Sequence, residues 1–445
     1  MYRILHKAVR PWQAREQQRL DYLSREQLVE LQWHKLQRLL RLAYDHTLFY
    51  RRRFQEIGAT PDDIKTPGDF SRIPMLTRTD ILNHAEEMLI PTREKLHQGK
   101  TGGSTGHPLT YYYDHANKYY RKALWQRVDS WIGAAGKRPV LYLWGVSMRS
   151  KHPATIRPWH RWTMQSFRYG IKAMSQNDLG ALTKDFLQIR PVVVYGYASL
   201  LLLFANYIRE NGVPISAPRL VVSVAETLPP ENRTLMEDAF RAPVYNRYGS
   251  NENTYMASEC PVRQGLHVIL DHVYLEIIAE DRPAKPGEPG YIAVTDLDNL
   301  AMPFIRYRND DIATWSRKEA CACGRNLPLL ETILGRETDF LFDSEGAMYS
   351  GSDIIEVLQP VGAGGLIHQF QFLQEERGSL CVRVVIGPAF HASVEGSLRQ
   401  ILNSYFCGKM EVSIDWVENI TPEPSGKTRF IKSMIPYNAV WQSRD

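Results

Sequence analysis

Apolar positions recur with helical spacing near the start of the chain. Leu36, Leu39, Leu40 and Ala43 fall at i, i+3, i+4 and i+7, with Leu28 and Leu31 ahead of them, which predicts a helix over about 24–44. Ser24, followed three residues later by Gln27, has the form of a capping box at its start. Asp45-His46-Thr47 breaks the pattern, and a shorter helix is expected to about Ile57. Pro61, Pro67 and Pro74 punctuate a stretch to about residue 76 that reads as loop. Thr77-Arg78-Thr79-Asp80 then opens another helix.

After residue 100 the pattern alternates between short apolar runs and helical periodicity. Pro139–Trp144, Pro191–Tyr195 and Arg219–Val224 read as buried strands, and Asn177–Ile189, 198–210 and Glu231–Phe240 as helices. That order suggests a largely parallel sheet covered by helices. From about 265 to 316 the helical pattern disappears. Val273–Ile278 and Tyr291–Thr295 read as strands around the turn Lys285-Pro286-Gly287-Glu288-Pro289-Gly290. A new unit starts near residue 338, with strands near 340–342, 367–374, 380–386 and 410–416 and helices near Ser352–Leu358 and 391–405. The expected fold class is α/β: a large N-terminal α/β domain with a β-rich subdomain (1–338), followed by a small C-terminal α+β domain (339–445).

Composition narrows the function classes. The 445 residues are 44% hydrophobic and 23% charged, ordinary globular usage that excludes disordered, collagenous and coiled-coil chains. The longest apolar run, Leu200–Ala205, is far short of the ~20 residues of a membrane span. The basic N-terminus lacks the long apolar core of a signal peptide. Net charge is +5. Arg51-Arg52-Arg53 is the densest basic spot, readable as a solvated helix face or as a site for anionic ligands or a membrane surface. Nucleic-acid binding is not expected. Five cysteines, an odd number, with no secretion signal point to a reducing, cytoplasmic compartment.

Five short motifs could carry chemistry. Thr101-Gly102-Gly103-Ser104-Thr105-Gly106, after Lys100, crowds glycines and hydroxyls in a way that lets backbone N–H groups cradle phosphate, but no Walker Gly-Lys-Ser/Thr follows. By itself it could equally be a surface turn. Arg247-Tyr248-Gly249-Ser250-Asn251-Glu252 ends on a carboxylate after a glycine turn. In Ile305-Arg306-Tyr307-Arg308-Asn309-Asp310-Asp311 the carboxylates could take ribose hydroxyls or a metal, or simply pair with Arg306 and Arg308. Gly335-Arg336-Glu337-Thr338-Asp339 could be a charged turn, and Pro424-Ser425-Gly426-Lys427-Thr428-Arg429 presents a lysine near the C-terminus.

Taken in order, these motifs resemble the series found in adenylate-forming enzymes, over most of the chain. The resemblance is closest to the branch of phenylacetate–coenzyme A ligases and CapK-like proteins. Ala43-Tyr44, Phe49-Tyr50-Arg51 and Ile73-Pro74-Met75-Leu76-Thr77 look like the leader region of that branch. The resemblance implies that Thr101, Gly103, Ser104, Thr105 and Gly106 close over the β- and γ-phosphates of ATP. It places Ala225 and Glu226, after their strand, along the adenine edge. Tyr248, followed by Gly249, would stack on adenine, and Glu252 would hold Mg²⁺. Asp311 would grip both ribose hydroxyls with Arg336 beside it, Asp339 would lie at the interdomain hinge, and Lys427 would reach the α-phosphate and the substrate carboxylate. Departures stand at Gly102, where a Ser is common, at Leu109, where a Lys often follows the proline, and at Asn251, where Thr or Ser is usual.

Cys260 and His267 are seven apart, and Cys321-Ala322-Cys323 follows. Three thiols and one imidazole can complete a tetrahedral zinc site, with His272 as a competing fourth ligand, or the thiols can be plain buried cysteines. The resembling branch often shows a similar pattern, which implies a structural zinc.

The activity implied is ATP-dependent conversion of a small-molecule carboxylic acid to an acyl adenylate, followed by transfer to coenzyme A. The rivals are an adenylylating or amide-forming CapK-like enzyme with another acceptor, and a degenerate nucleotide-binding scaffold. A homodimer is left open. Tyr142, Trp144, Tyr195 and Tyr197 fall on or after strands of the sheet, as an aromatic-acid pocket or as ordinary core.

Overall fold

The computed structural model describes residues 18–100, 109–145, 166–171, 176–336, 340–345, 348–350, 354, 358, 366–421 and 429–435. The chain divides into two compact units, one of residues 1–136 and 245–333, the other of 137–244 and 334–445.

In the first unit, the sequence starts its helices with a repeated local device. Ser24 and Gln27 form the expected capping box on the helix Arg25–His46. Thr47 caps Leu48–Glu56, Thr66 and Asp69 box Pro67–Ser71, and Thr77 and Asp80 box Arg78–His84. The stretch punctuated by prolines is therefore not plain loop. Pro61 and Pro67 occupy the first turns of a 3-10 turn and a short helix, where proline's missing N–H costs nothing. These pieces are too short to show a 3.6-residue period.

The helices cover an antiparallel run of strands. Its spatial order is Arg282–Pro283, Val273–Ala279, Pro289–Asp296, Tyr307–Trp315, Leu329–Arg336, Leu266–Val268, Thr254–Ser258, Val244–Ser250. Leu36, Leu39, Leu40 and Ala43 from the first helix share one core with Phe70, Leu76, Met256, Ile277, Val294 and Tyr307. The strands Tyr307–Trp315 and Val244–Ser250 are absent from the sequence reading. Their polar Asn309-Asp310-Asp311 and Arg247-Tyr248-Gly249-Ser250 stretches hide the alternation a strand normally shows.

The second unit contains the expected parallel sheet, in the order Ser166–Ile171, Val140–Gly145, Val193–Tyr197, Leu220–Val224. Val193–Tyr197 and Leu220–Val224 are buried at every position, so they read as continuous apolar runs rather than alternating ones. The helices Gln176–Ile189, Ala198–Glu210 and Pro230–Phe240 bring together Phe186, Phe204 and Phe240.

The C-terminal part has its own four-stranded sheet, ordered Glu411–Trp416, Ser379–Ile386, Ile367–Gln374, Ile431–Ser433. The helix Ser393–Tyr405 crosses between the parallel strands Ser379–Ile386 and Glu411–Trp416. Its core gathers Leu380, Val382, Val384, Leu398, Leu402 and Phe406. The buried Gln374 amide accepts from Phe342 N at 2.7 Å and donates to Phe342 O at 2.8 Å, tying the hairpin Phe340–Phe342 and Met348–Ser350 to that sheet. Of the helix expected near Ser352–Leu358, only Ile354 and Leu358 lie within the described residues. Among the described residues no helix is long and apolar enough to cross a membrane.

Candidate functional site

The strand Val244–Ser250 pairs with Thr254–Ser258 through a bulge at Tyr248/Gly249. An added Cβ at Gly249 would collide with the Thr254 carbonyl oxygen, so glycine is required by close backbone approach. Tyr248 is thereby aimed at the strand Tyr307–Trp315. Its hydroxyl donates to Asp311 Oδ2 at 2.7 Å. Asn309 Nδ2 donates to the Tyr248 hydroxyl at 2.8 Å and to Asp311 Oδ2 at 3.0 Å, while Asp311 N donates to Asn309 Oδ1 at 3.2 Å. Two residues to which the resemblance gives adenine and ribose roles thus meet, and Asn309, to which it gives none, lies between them.

Of the two arginines that could simply pair with the carboxylates of this motif, Arg308 does so with Asp310, whereas Arg306 is engaged elsewhere. Arg306 Nε donates to Glu276 at 3.0 Å, and its guanidinium also donates to the Ser71 and Ile73 carbonyls. Arg308 Nε lies 3.6 Å from Asp310 Oδ1.

Glu252 occupies the turn between the two paired strands and is only 7% exposed. The Asn251 side chain donates to the Lys100 carbonyl at 3.4 Å, so the turn lies beside the strand that runs into the Ser/Thr/Gly segment. A carboxylate here suits Mg²⁺, which is usually held by one or two carboxylates together with substrate phosphates. Thr101, Gly103, Ser104, Thr105, Gly106, Asp339 and Lys427 lie outside the described residues, as does the side chain of Arg336.

In the second unit, Ala225 takes a left-handed φ of 68° directly after its buried strand. This turn lets the Glu226 carboxylate accept from Ser199 N at 2.7 Å and from Ser199 Oγ at 3.0 Å, at the start of the helix Ala198–Glu210, where backbone N–H groups lack intrahelical partners. The aromatic set does assemble: Tyr142 stacks on Tyr195 at 5.2 Å, and Trp144 meets Tyr197 at 5.2 Å.

Cys260, His267, Cys321 and Cys323 converge in the first unit, their donor atoms all within 4.8 Å of one another. Cys260 Sγ lies 3.7 Å from Cys321 Sγ, and Cys323 Sγ lies 3.3 Å from His267 Nε2. Ligands at ~2.3 Å around a tetrahedral ion would stand ~3.8 Å apart, so the donor set fits zinc. Burial pushes the Cys260 thiol up to about 12, a shift that a bound cation would reverse. Burial, aided by Arg325, pushes His267 down to about 4, keeping the imidazole neutral as a ligand must be.

His272 is not a member of that cluster. Its Nδ1 is 3.0 Å from Asp298 Oδ2 and its Nε2 is 2.8 Å from the Asn253 carbonyl. It belongs instead to a buried ionic network that also went unseen. Lys35 Nζ reaches Asp298 Oδ1 at 2.6 Å, and Arg127 reaches Asp271 at 2.8 and 2.9 Å and Asp21 at 2.8 Å. These partners are far apart in sequence, so no local spacing signals them.

Residues 341–434 match the family model described as the CapK C-terminal domain. A phenylacetate-coenzyme A ligase of Thermus thermophilus is 29% identical over 341 residues, covering 73% of this chain and 74% of that one. Protein CapK of Staphylococcus aureus is 22% identical over 420 residues, covering 91% and 88%. Among solved structures, 2-hydroxyisobutyryl-CoA ligase in the postadenylation state with R3-HIB-AMP superposes with a TM-score of 0.76 at 20% identity, over 95% of this chain and 93% of that one. The fold is that of the adenylate-forming ligases. Within it, residues 341–434 match the CapK C-terminal domain, and most of the chain is similar to phenylacetate–coenzyme A ligases and to CapK.

Proposed function

We propose that this protein is an AMP-forming acid–thiol ligase. The carboxylate oxygen of a small acid attacks the α-phosphorus of ATP, the bond to pyrophosphate breaks, and an acyl adenylate forms. A thiol, that of coenzyme A, then attacks the acyl carbonyl and AMP leaves. The observation that carries this reading is the joined Tyr248–Asn309–Asp311 set beside the Glu252 turn. A ring fixed by its own hydroxyl suits adenine, and a carboxylate suits the ribose diol.

Adenylation needs positioning and charge neutralisation rather than covalent help. Lys427 would supply charge at the α-phosphate in the first half-reaction, with Asp339 as the hinge that removes it for the second. Glu252 would hold the Mg²⁺ that neutralises the phosphates. Cys260, His267, Cys321 and Cys323 would hold a zinc that pins the β-rich segment rather than entering the chemistry. ATP, coenzyme A and reduced thiols together suit the cytoplasm.

The acceptor is where a second reading enters. The CapK likeness spans 91% of the chain and includes the C-terminal domain, the part that in adenylate-forming enzymes moves between half-reactions. That likeness is the ground for the second reading, a CapK-like enzyme whose acceptor is not coenzyme A. Pyrophosphate release over a panel of carboxylic acids, with coenzyme A then added, tests both. Acid-dependent release with thioester formation is expected. Release without thioester would redirect the second step to an amine or other acceptor, and ATP binding without release would leave a scaffold.

A further inference from the structure

The turn that carries Glu252 is held from outside at three successive carbonyls. The Asn251 carbonyl accepts from the Tyr111 hydroxyl at 2.6 Å and from Arg121 Nη1 at 2.8 Å. The Glu252 carbonyl accepts from Arg121 Nη2, and the Asn253 carbonyl accepts from His272 Nε2 at 2.8 Å. Hairpin turns ordinarily leave such carbonyls to water. Here a guanidinium, a phenol and an imidazole are committed to them.

Arg121 is itself locked. Its Nε donates to Asn117 Oδ1, one helical turn earlier, at 2.6 Å, and Asn117 is 1% exposed. Its guanidinium lies over the rings of Tyr113 at 4.8 Å and Tyr111 at 5.5 Å. A planar fork held in this way can bridge two neighbouring carbonyls, which a lysine ammonium cannot do with the same geometry.

The same residues reach the other side of the nucleotide site. Tyr111 lies on the strand Thr110–Tyr113, paired with His97–Lys100. Its ring crosses Gly99 so closely that a Cβ there would collide with it. Lys100, which leads directly into Thr101, gives its carbonyl to the Asn251 amide.

We propose that Arg121, with Tyr111, is a positioning residue that fixes the Glu252 turn to the hairpin of His97–Lys100 with Thr110–Tyr113 and so orients the carboxylate that would hold Mg²⁺. This inference rests on the nucleotide reading above. Partners that orient a metal-holding residue typically matter 10–100-fold in metal affinity.

The test measures the Mg²⁺ dependence of ATP binding by calorimetry and of pyrophosphate release, in wild type, Arg121→Gln, Arg121→Lys and Tyr111→Phe. In Arg121→Gln, half-saturating Mg²⁺ should rise about tenfold or more, while the acid KM and thioester formation from a supplied acyl adenylate stay near wild type. Arg121→Lys should fall between. Tyr111→Phe keeps the ring, drops the hydroxyl's bonds to Asn251 and Arg121, and should move the same way by less, which reads the effect even if Arg121→Gln fails to fold. An unchanged Mg²⁺ dependence in folded variants, or equal loss in all three measurements, overturns the inference. Wild type that binds no Mg·ATP overturns the nucleotide reading itself, and the inference with it.

Discussion

The Tyr248 hydroxyl donates to Asp311 Oδ2 across 2.7 Å, joining residues 63 apart in sequence. The bond fixes the ring and the carboxylate as one surface. If Asp311 takes the ribose diol, Asp311→Asn keeps the shape but loses an acceptor and the charge assistance, roughly 1.5–3 kcal/mol. The ATP KM should rise clearly, and the variant should discriminate less between ATP and 2′-deoxy-ATP than wild type does. An unchanged ratio of the two nucleotides, with only stability lost, would make Asp311 a structural partner of Tyr248 and Asn309.

Metal analysis of purified protein should give about one zinc per chain, and Cys321→Ser should lose both the metal and thermal stability. A metal-free wild type of unchanged stability contradicts the zinc site, despite the 3.7 Å and 3.3 Å spacings of its donors.

The pH dependence of stability should carry a signature of His272. Burial alone would push this imidazole down, but Asp296 and Asp298 outweigh it and hold the folded value above the ordinary 6.5. The protonated form is therefore favoured by folding. Its stabilisation is complete below 6.5 and is lost as pH rises through the higher folded value. Denaturant midpoints should fall over that window in wild type, and His272→Gln should flatten the slope. Equal slopes in the two proteins would remove His272 from the network's energetics.

If Lys427 serves only the first half-reaction, as proposed, Lys427→Ala should nearly abolish adenylate formation yet spare thioester formation from a supplied acyl adenylate. Equal loss in both would reject a domain that moves between two working positions.

Much of this was legible along the chain, for local reasons. Strands buried on both faces show as apolar runs, as at Val193–Tyr197, and helix starts show in Ser24 and Thr77, whose caps close within three residues. Residues whose roles arise across long sequence separations were not legible. Spacing could not choose between His267 and His272, whereas the fold places His267 among the thiols and turns His272 to Asp298. Arg121 gives no local signal, because its partners lie 130 and 131 residues away. The strand Tyr307–Trp315 hides behind Asn309-Asp310-Asp311, where Asp310 takes a left-handed φ of 63°, the irregularity that accompanies the Asp311 site.

The most direct measurement is exchange of labelled pyrophosphate into ATP, run over a panel of carboxylic acids without coenzyme A. Reversible adenylation returns label to ATP only when acyl adenylate and pyrophosphate are both formed on the enzyme. The account predicts exchange that depends on the acid and on Mg²⁺ and that is lost in Lys427→Ala. Protein shown to bind Mg·ATP that supports no acid-dependent exchange, or exchange undiminished in Lys427→Ala, would contradict it.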